Sequence, residues 1–172
     1  DLAGKGRDTW VVGLWRGLCL HIPVVKGFSE GREMEETLRR LAVEHNVPRS
    51  SIVSDADGLG FYLESYLNGI REFHGGARAL APDTYANLKS ECAFKLAELI
   101  NKRKIRVICD PSTADKLKEE LTVLKSKNTN SAEQKKELIS KDTMKAVLGR
   151  SPDLLDTLIM RMIFEIAPKA AG

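Results

Sequence analysis

The sequence lacks the patterns that would indicate a zinc site, a disulfide framework or a membrane span. It has only three cysteines in 172 residues and no Cys-x-x-Cys pair. Three widely separated thiols exclude a disulfide scaffold and argue against structural zinc, so we expect buried, reduced thiols. No apolar run approaches the roughly 20 residues that cross a bilayer. No basic-then-apolar leader opens the sequence, so we do not expect secretion.

Net charge is also small, but its distribution along the chain is uneven. The formal net charge is +3. Residues 101–150 hold 13 Lys or Arg against 7 Asp or Glu, which gives 13 − 7 = +6 and leaves −3 for the rest. A basic part beside an acidic part suits a nuclease that binds phosphate with one surface and metal with another. Solvated helices would explain the same charges without any ligand.

The order of predicted elements indicates the fold class. Apolar, β-branched runs predict strands at 8–16, 18–25, 51–54, 105–109 and 138–140. Apolar residues at steps of three and four predict helices at 30–46, 60–67, 83–102, 113–125 and 151–166. Asp83 and Ser151 are the expected N-caps of two of them. Strands that alternate with helices after an opening hairpin predict an α/β fold with a mixed β-sheet flanked by helices.

Four aspartates stand at the ends of predicted elements. Asp1 precedes a glycine-rich turn, Asp55 ends a predicted strand, and Asp153 and Asp156 lie three residues apart in the first turn of the last helix. Carboxylates at strand ends can converge around a hard cation. Phosphodiester cleavage adds negative charge to a phosphate, and two Mg²⁺ or Mn²⁺ ions about 3.5–4 Å apart can stabilise it. Aspartates without a His/Cys cluster fit such ions better than zinc.

Two of these acids also have a purely structural explanation. Asp153 would lie near a helix N-terminus, where the dipole favours an acid by about 0.3–1 kcal/mol. Asp55 and Asp57 could be turn-forming residues. The case for a metal site therefore depends on the combination of the four acids rather than on any one of them.

That combination, read with its neighbours, resembles the C-terminal nuclease domain of the large terminase subunits of tailed phages. The segments that carry the resemblance are Asp1-Leu-Ala-Gly-Lys-Gly-Arg-Asp8, Asp55-Ala-Asp-Gly58-Leu-Gly60, Asn87-Leu-Lys-Ser-Glu91 and Ser140-Lys141-Asp142 followed by Gly149-Arg-Ser-Pro-Asp153-Leu-Leu-Asp156. No single motif is decisive, but their order and spacing cover nearly the whole chain. The resemblance implies a ribonuclease-H-like fold.

The resemblance further implies a two-metal-ion endodeoxyribonuclease that cuts double-stranded DNA during genome packaging. Asp1 would bridge two Mg²⁺ or Mn²⁺ ions, with Asp55 and Asp153 completing their ligands and Asp156 as a further acid. Whether Asp153 or Asp156 is the closer ligand stays open. Lys141 precedes the catalytic helix, so it could contact the scissile phosphate or screen the acids, or it could be a plain surface lysine.

The resemblance also sets expectations for the rest of the protein. Residues 1–172 would form a single nuclease domain, and the family's first strand would begin before Asp1. No Gly-x-x-x-x-Gly-Lys-Ser/Thr loop is present, so the packaging ATPase domain is absent from this sequence. Portal protein and the small terminase subunit would be partners of the full-length protein, which would act in the cytoplasm of the bacterial host.

Other functions on the same fold remain open at this stage. One alternative is a different ribonuclease-H-like nuclease, such as a junction resolvase or an RNA-cleaving enzyme, because fold does not fix function. Another is a non-catalytic module that docks on DNA or on the portal. Four lysines flank a polar loop and could contact the DNA backbone without reading sequence, or they could simply be solvated: Lys125, Lys127, Lys135 and Lys136.

Overall fold

The computed structural model describes residues 9–27, 31–56, 67–127 and 134–167. Four of the features predicted above fall wholly or largely outside these ranges. They are Asp1 with its glycine-rich turn, the second acidic motif after Ala56, the helix expected at 60–67, and most of the polar loop between the flanking lysines. The rest of the predicted elements can be compared directly with the structure.

The described strands form two small sheets: a mixed sheet of three strands and a parallel sheet of two strands. Strands β1 (Trp10–Arg16) and β2 (Cys19–Lys26) make the predicted antiparallel hairpin, and β5 (Arg106–Ile108) joins β2 in parallel. Strands β3 (Val53–Asp55) and β4 (Arg71–Phe73) pair in parallel. Gly17 turns the hairpin with φ at +59°, a conformation that favours glycine. The mixed strand directions and flanking helices confirm the predicted α/β class.

Six α-helices and one 3₁₀ turn are described. The helices are α1 (Gly31–Glu44), α2 (Leu88–Asn101), α3 (Pro111–Leu121), α4 (Lys141–Leu148), α5 (Asp153–Arg161) and α6 (Ile163–Ile166), and the 3₁₀ turn is Arg49–Ser51. The predicted cap at Asp83 is wrong, because the Asn87 side chain accepts from Ser90 N at 2.8 Å and α2 begins at Leu88. Likewise, Asp110 caps α3 through Thr113 N.

The segment before the last helix differs from the prediction. The strand expected at 138–140 is only a single bridge between Leu138 and Ser126. Ser140 instead caps α4 by accepting a hydrogen bond from Thr143 N. The helix that follows, Lys141–Leu148, was not predicted from the sequence. The expected last helix is divided at Met162, and its N-cap is Pro152 rather than Ser151.

Two apolar clusters lie on opposite faces of the hairpin. The larger centres on α5, which packs against α2, α3, β1 and β3. The smaller lies under α1 and includes Trp10 and Met34. Trp10 belongs to the smaller cluster and Trp15 packs against the larger one, as their odd spacing predicts. Helix α5 is thus held from several sides, which fixes the residues at its N-terminus.

The cysteine prediction is only partly right. All three thiols are free, but only Cys92 is buried, where burial raises its pKa to about 12. Cys19 and Cys109 are partly exposed. Among the described residues, no helix has the length and apolar character to cross a membrane.

Candidate metal and phosphate site

Asp55 is the last residue of β3, as the sequence predicts. Strand β3 runs parallel to β4, with Asp55 opposite Phe73. Val53, two residues before Asp55, and Phe73, opposite Asp55 on β4, both pack against the larger core. The side chains of all three residues lie on the same face of this sheet. The carboxylate is therefore carried by a backbone that core packing holds on the side of α5.

Asp153 and Asp156 lie in the first turn of α5, where almost every side chain is buried. Gly13 of β1 allows α5 to approach the sheet closely. A Cβ atom at Gly13 would come within 3.0 Å of Leu20 and 3.3 Å of Thr157, the residue after Asp156. A larger residue at position 13 would displace α5 relative to the sheet. Because α5 carries both acids, this close contact contributes to their position.

Asp153 is 3% exposed and carries one satisfied and one unsatisfied carboxylate oxygen. Its Oδ2 accepts a hydrogen bond from Thr9 N at 2.6 Å. Its Oδ1 is buried and has no hydrogen-bond partner among the described residues. A buried polar atom without a partner is costly, so such an oxygen is typical of a position that binds a ligand.

Asp156, one helical turn further on, has a different environment. Lys89 Nζ lies 2.7 Å from its Oδ1, and Lys141 Nζ lies 3.1 Å from its Oδ2. Burial alone would raise the pKa of Asp156, but the charges of Lys89 and Lys141 outweigh it and lower that pKa below its ordinary value. Both of its oxygens are thus in ion pairs.

Lys141 connects all three described acids. It is the first residue of α4, and the Ser140 cap fixes the start of that helix. Burial would lower its pKa, but the charges of Asp156, then Asp153, then Asp55 raise it above the ordinary value. The carboxylates of α5 and the sequence-remote Asp55 are therefore all within electrostatic range of one ammonium group.

Each of the three residues of the motif Asn87-x-Lys89-x-Glu91 has a specific partner at the start of α2. Asn87 caps the helix, and Lys89 pairs with Asp156. Glu91 is 7% exposed and accepts hydrogen bonds from Leu80 N at 2.6 Å and Ala81 N at 3.2 Å. This turn of α2 thereby holds both the preceding loop and the acid of α5.

A further buried acid, Glu120 of α3, was missed by the sequence analysis. It is 1% exposed; its Oε2 accepts from Leu155 N at 2.8 Å, and its Oε1 pairs with Arg150. Burial raises the pKa of Glu120, although the Leu155 N–H and the Arg150 guanidinium act against that rise. Glu120 follows Thr113 and Leu117 on the buried stripe of α3, and an acid on such a stripe was the available signal.

The four predicted DNA-contacting lysines are all exposed, but two have partners within the fold. Lys136 Nζ lies over the rings of Tyr85 and Phe94, at 5.8 and 5.6 Å, and Lys127 Nζ is 3.1 Å from Glu137. Leu138 N, just past this segment, donates to the buried Ser90 hydroxyl at 3.0 Å. This hydrogen bond anchors the end of the basic segment to the first turn of α2, which also carries Lys89.

The described residues therefore bring together part of the predicted site. Asp156 pairs with Lys141, and the charges of Asp153 and Asp55 also act on that ammonium group, whereas Asp1 lies outside the described ranges. Among the residues described, no group of three His, Cys, Asp or Glu side chains is close enough to hold a metal ion. The metal-binding and catalytic roles of Asp1, Asp55, Asp153, Asp156 and Lys141 stay predictions.

Comparison with solved structures identifies the architecture. No protein-family model matches the chain, and no curated protein sequence does. The nuclease domain of the large terminase subunit of bacterial virus Sf6 superposes with a TM-score of 0.73 at 19% identity, covering 98% of this chain and 86% of that one. A variant of that domain, solved with manganese and beta-thujaplicinol, gives 0.78 at 20% identity over the same shares.

A third similar structure is a variant of the same domain from bacteriophage Sf6 with calcium. Its TM-score is 0.71 at 20% identity, and the superposition covers 93% of this chain and 84% of that one. At such identities, the similarity concerns the backbone and not the chemistry. The chain has the fold of the nuclease domain of phage terminase large subunits.

Proposed function

We propose that this protein is a metal-dependent endonuclease domain that cuts double-stranded phage DNA during genome packaging. One observation carries the proposal: on the terminase nuclease fold, the buried Asp153 lies one helical turn before Asp156, which pairs with the ammonium group of Lys141, and the charges of Asp153 and Asp55 also act on that group. Carboxylates that could bind divalent cations and an ammonium group that could bind phosphate would then belong to one site. Solvated surface acids would not explain why Asp153 is buried in the core.

The residues present fit a hard divalent cation. Asp153 Oδ1 is buried without a hydrogen-bond partner among the described residues, and a bound cation would supply one. Mg²⁺ and Mn²⁺ prefer carboxylate oxygen and water as ligands. The similar domain of Sf6 was solved with manganese and with calcium. We therefore propose Asp55 and Asp153 as ligands, joined by Asp1, for two such ions.

The protein's own groups would divide the chemistry between them. Bound divalent ions would activate the attacking water and stabilise the leaving oxygen. The ammonium group of Lys141, kept protonated by its acidic neighbours, would bind a non-bridging oxygen of the scissile phosphate and stabilise the charge that develops there. Thr9 N, by donating to Asp153 Oδ2, would fix the direction of the other carboxylate oxygen.

DNA would be held by the basic segment beside the site. Lys125 and Lys135 are exposed at either end of the polar loop. The segment that follows is anchored to Ser90 through Leu138 and leads directly into Lys141. Lysines that contact phosphate provide affinity without reading bases and lose it as salt rises.

We further propose that residues 1–172 belong to a single nuclease domain whose first strand begins before Asp1. A cavity of about 370 Å³ lies between β1 and β3 and is lined by both strands and by apolar residues of α1. Among the described residues, β1 pairs only with β2, and β3 only with β4.

The full-length protein would then work within a packaging assembly in the cytoplasm of the bacterial host. A packaging ATPase domain would belong to the same polypeptide, and portal protein and the small terminase subunit would be its partners. Support for this context comes only from the shared fold with the Sf6 terminase domain.

Plasmid cleavage tests the proposed function and separates it from the alternatives. The purified protein should convert supercoiled plasmid to open and linear forms in Mn²⁺, and chelation with EDTA should stop the reaction. Linear duplex should be cut in preference to four-way junctions or RNA–DNA hybrids. Binding of duplex without cutting, in Mn²⁺ or Mg²⁺, would contradict the proposal and favour a docking module. Preference for junctions would favour a resolvase.

A further inference from the structure

The two acids of α5 differ in what surrounds them, although they are one helical turn apart. Asp153 Oδ2 accepts from an uncharged backbone N–H. Oδ1 of both acids is buried without a hydrogen bond among the described residues, but only Oδ1 of Asp156 has a described ammonium group beside it. Asp156 has an ammonium group at each oxygen, Lys89 at 2.7 Å and Lys141 at 3.1 Å. A carboxylate paired on both oxygens with cations is a poor ligand for a further cation.

The positions of the two lysines are fixed by separate elements. Lys89 belongs to the first turn of α2, where its backbone N–H donates to Gly75 O at 2.9 Å. A Cβ atom at Gly75 would lie 3.5 Å from Lys89 Cβ and Cδ, so the loop lies directly against this side chain. Lys141 begins α4 behind the Ser140 cap. Asp156 is thus the group at which α2, α4 and α5 meet.

We propose that Asp156 is a positioning residue rather than a metal ligand: it holds Lys141 toward Asp153 and Asp55, with Lys89 as its second counter-ion. This inference rests on the proposed nuclease function. Without Asp156, the flexible ammonium group of Lys141 would lose the carboxylate that holds it at 3.1 Å. Without Lys89, Asp156 would share its other counter-ion, Lys141, with the metal-binding acids.

The charges of the cluster explain why two lysines are needed. Asp55, Asp153 and Asp156 together carry three negative charges, and Lys89 and Lys141 carry two positive ones. Like charges in a buried cluster repel each other, and the two ammonium groups reduce that repulsion. Lys141 can then face phosphate while Lys89, whose side chain is 25% exposed, keeps Asp156 in place.

The first test is made on the metal-free protein and does not depend on catalysis. Melting temperatures in EDTA are measured for Asp156→Asn, Lys141→Met, the double variant and the wild type. Coupled residues give non-additive shifts. The double variant should melt well above the temperature expected from adding the two single shifts. The same cycle on the exposed pair Asp115 and Lys118 should be additive. An additive cycle at Asp156 and Lys141 overturns the proposal.

The second test compares metal binding by the two acids of α5. Bound Mn²⁺ is measured by the loss of its free paramagnetic resonance signal in wild type, Asp153→Asn and Asp156→Asn. Asp156→Asn should retain Mn²⁺ binding and lose kcat with little change in KM for DNA, whereas Asp153→Asn should lose binding. Equal loss of Mn²⁺ in both variants would show that Asp156 is a ligand and overturn the proposal.

Lys89 supplies an independent variant in case Asp156→Asn folds poorly. Lys89→Met should lower kcat and retain Mn²⁺ binding, and Lys89→Arg should restore most of the activity because it keeps the ion pair. Full activity of folded Lys89→Met would contradict the positioning role. If the wild type cut no DNA, the proposed function would fail, while the cycle in EDTA would still decide whether Asp156 holds Lys141.

Discussion

The Nζ atom of Lys141 lies 3.1 Å from Oδ2 of Asp156, and this ion pair joins the first residue of α4 to the first turn of α5. The same ammonium group is within electrostatic range of Asp153 and Asp55. A strand end, a buried helix N-terminus and a short capped helix therefore contribute to one charged cluster.

Asp55→Asn should abolish cleavage and leave the protein folded, with unchanged or higher stability. Carboxylates crowded together repel when no metal is bound, so removing one charge relieves that repulsion. The same change removes a proposed metal ligand. Melting temperature and plasmid nicking are measured on the same variant. A destabilised but fully active Asp55→Asn protein would show that this aspartate serves only the turn after β3.

Lys141→Met should lower kcat by about 10²-fold, the usual cost of removing one donor that stabilises transition-state charge. Binding of duplex DNA in Ca²⁺ should be nearly unchanged, because other lysines contact the backbone. Lys118→Met is the matched control, since Lys118 is exposed on α3 and pairs only with Asp115 among the contacts described. Single-turnover cleavage at normal rate by Lys141→Met would exclude a role at the phosphate.

Glu120→Ala should destabilise the fold, because it leaves Leu155 N–H and the Arg150 guanidinium without their buried partner. An unsatisfied buried donor costs about 1–3 kcal/mol. Glu119→Ala is the control: Glu119 also contacts Arg150, at 3.2 Å, but is exposed. Its loss should cost less than about 1 kcal/mol, as for other exposed ion pairs. Urea denaturation gives both values, and equal effects would contradict the role assigned to Glu120.

The stability that Asp156 contributes should depend on pH with a definite sign. Its pKa in the folded protein lies below the ordinary value of 3.8. A carboxyl group with a lowered folded pKa contributes stability above its unfolded pKa and loses it as pH falls through the folded value. The Tm difference between wild type and Asp156→Asn in EDTA should therefore be constant near neutral pH and shrink below about pH 4. A difference that grows on acidification would contradict the ion pairs at Asp156.

The sequence predicted the elements whose determinants are local. The hairpin around Gly17 and the position of Asp55 at the end of β3 follow from alternation and turn chemistry. Helix α4 was missed because Ser140 was assigned to a strand instead of a cap, and because a helix of eight residues offers only three large apolar residues, Met144, Val147 and Leu148. Helix α2 begins later than the apolar spacing predicts, because the side chain of Asn87 caps it at Ser90 N.

The candidate site was predictable only in part for a similar reason. Asp55, Asp153 and Asp156 could be identified from their places at element ends. The pairing of Asp156 with Lys89 depends on how α2 packs against α5, which no local pattern encodes. Tertiary packing decides which residues pair when they are as far apart in sequence as Lys89 and Asp156, and a single sequence contains no signal for that pairing.

The most direct measurement of the central claim is plasmid cleavage by Asp153→Asn at saturating Mn²⁺. Its matched control is Asp115→Asn, the same chemical change at an exposed aspartate of α3. Both variants should fold, which circular dichroism and melting temperature establish beforehand. The account predicts that Asp115→Asn cuts at the wild-type rate and that Asp153→Asn leaves the plasmid supercoiled. Cleavage at the wild-type rate by folded Asp153→Asn would contradict it.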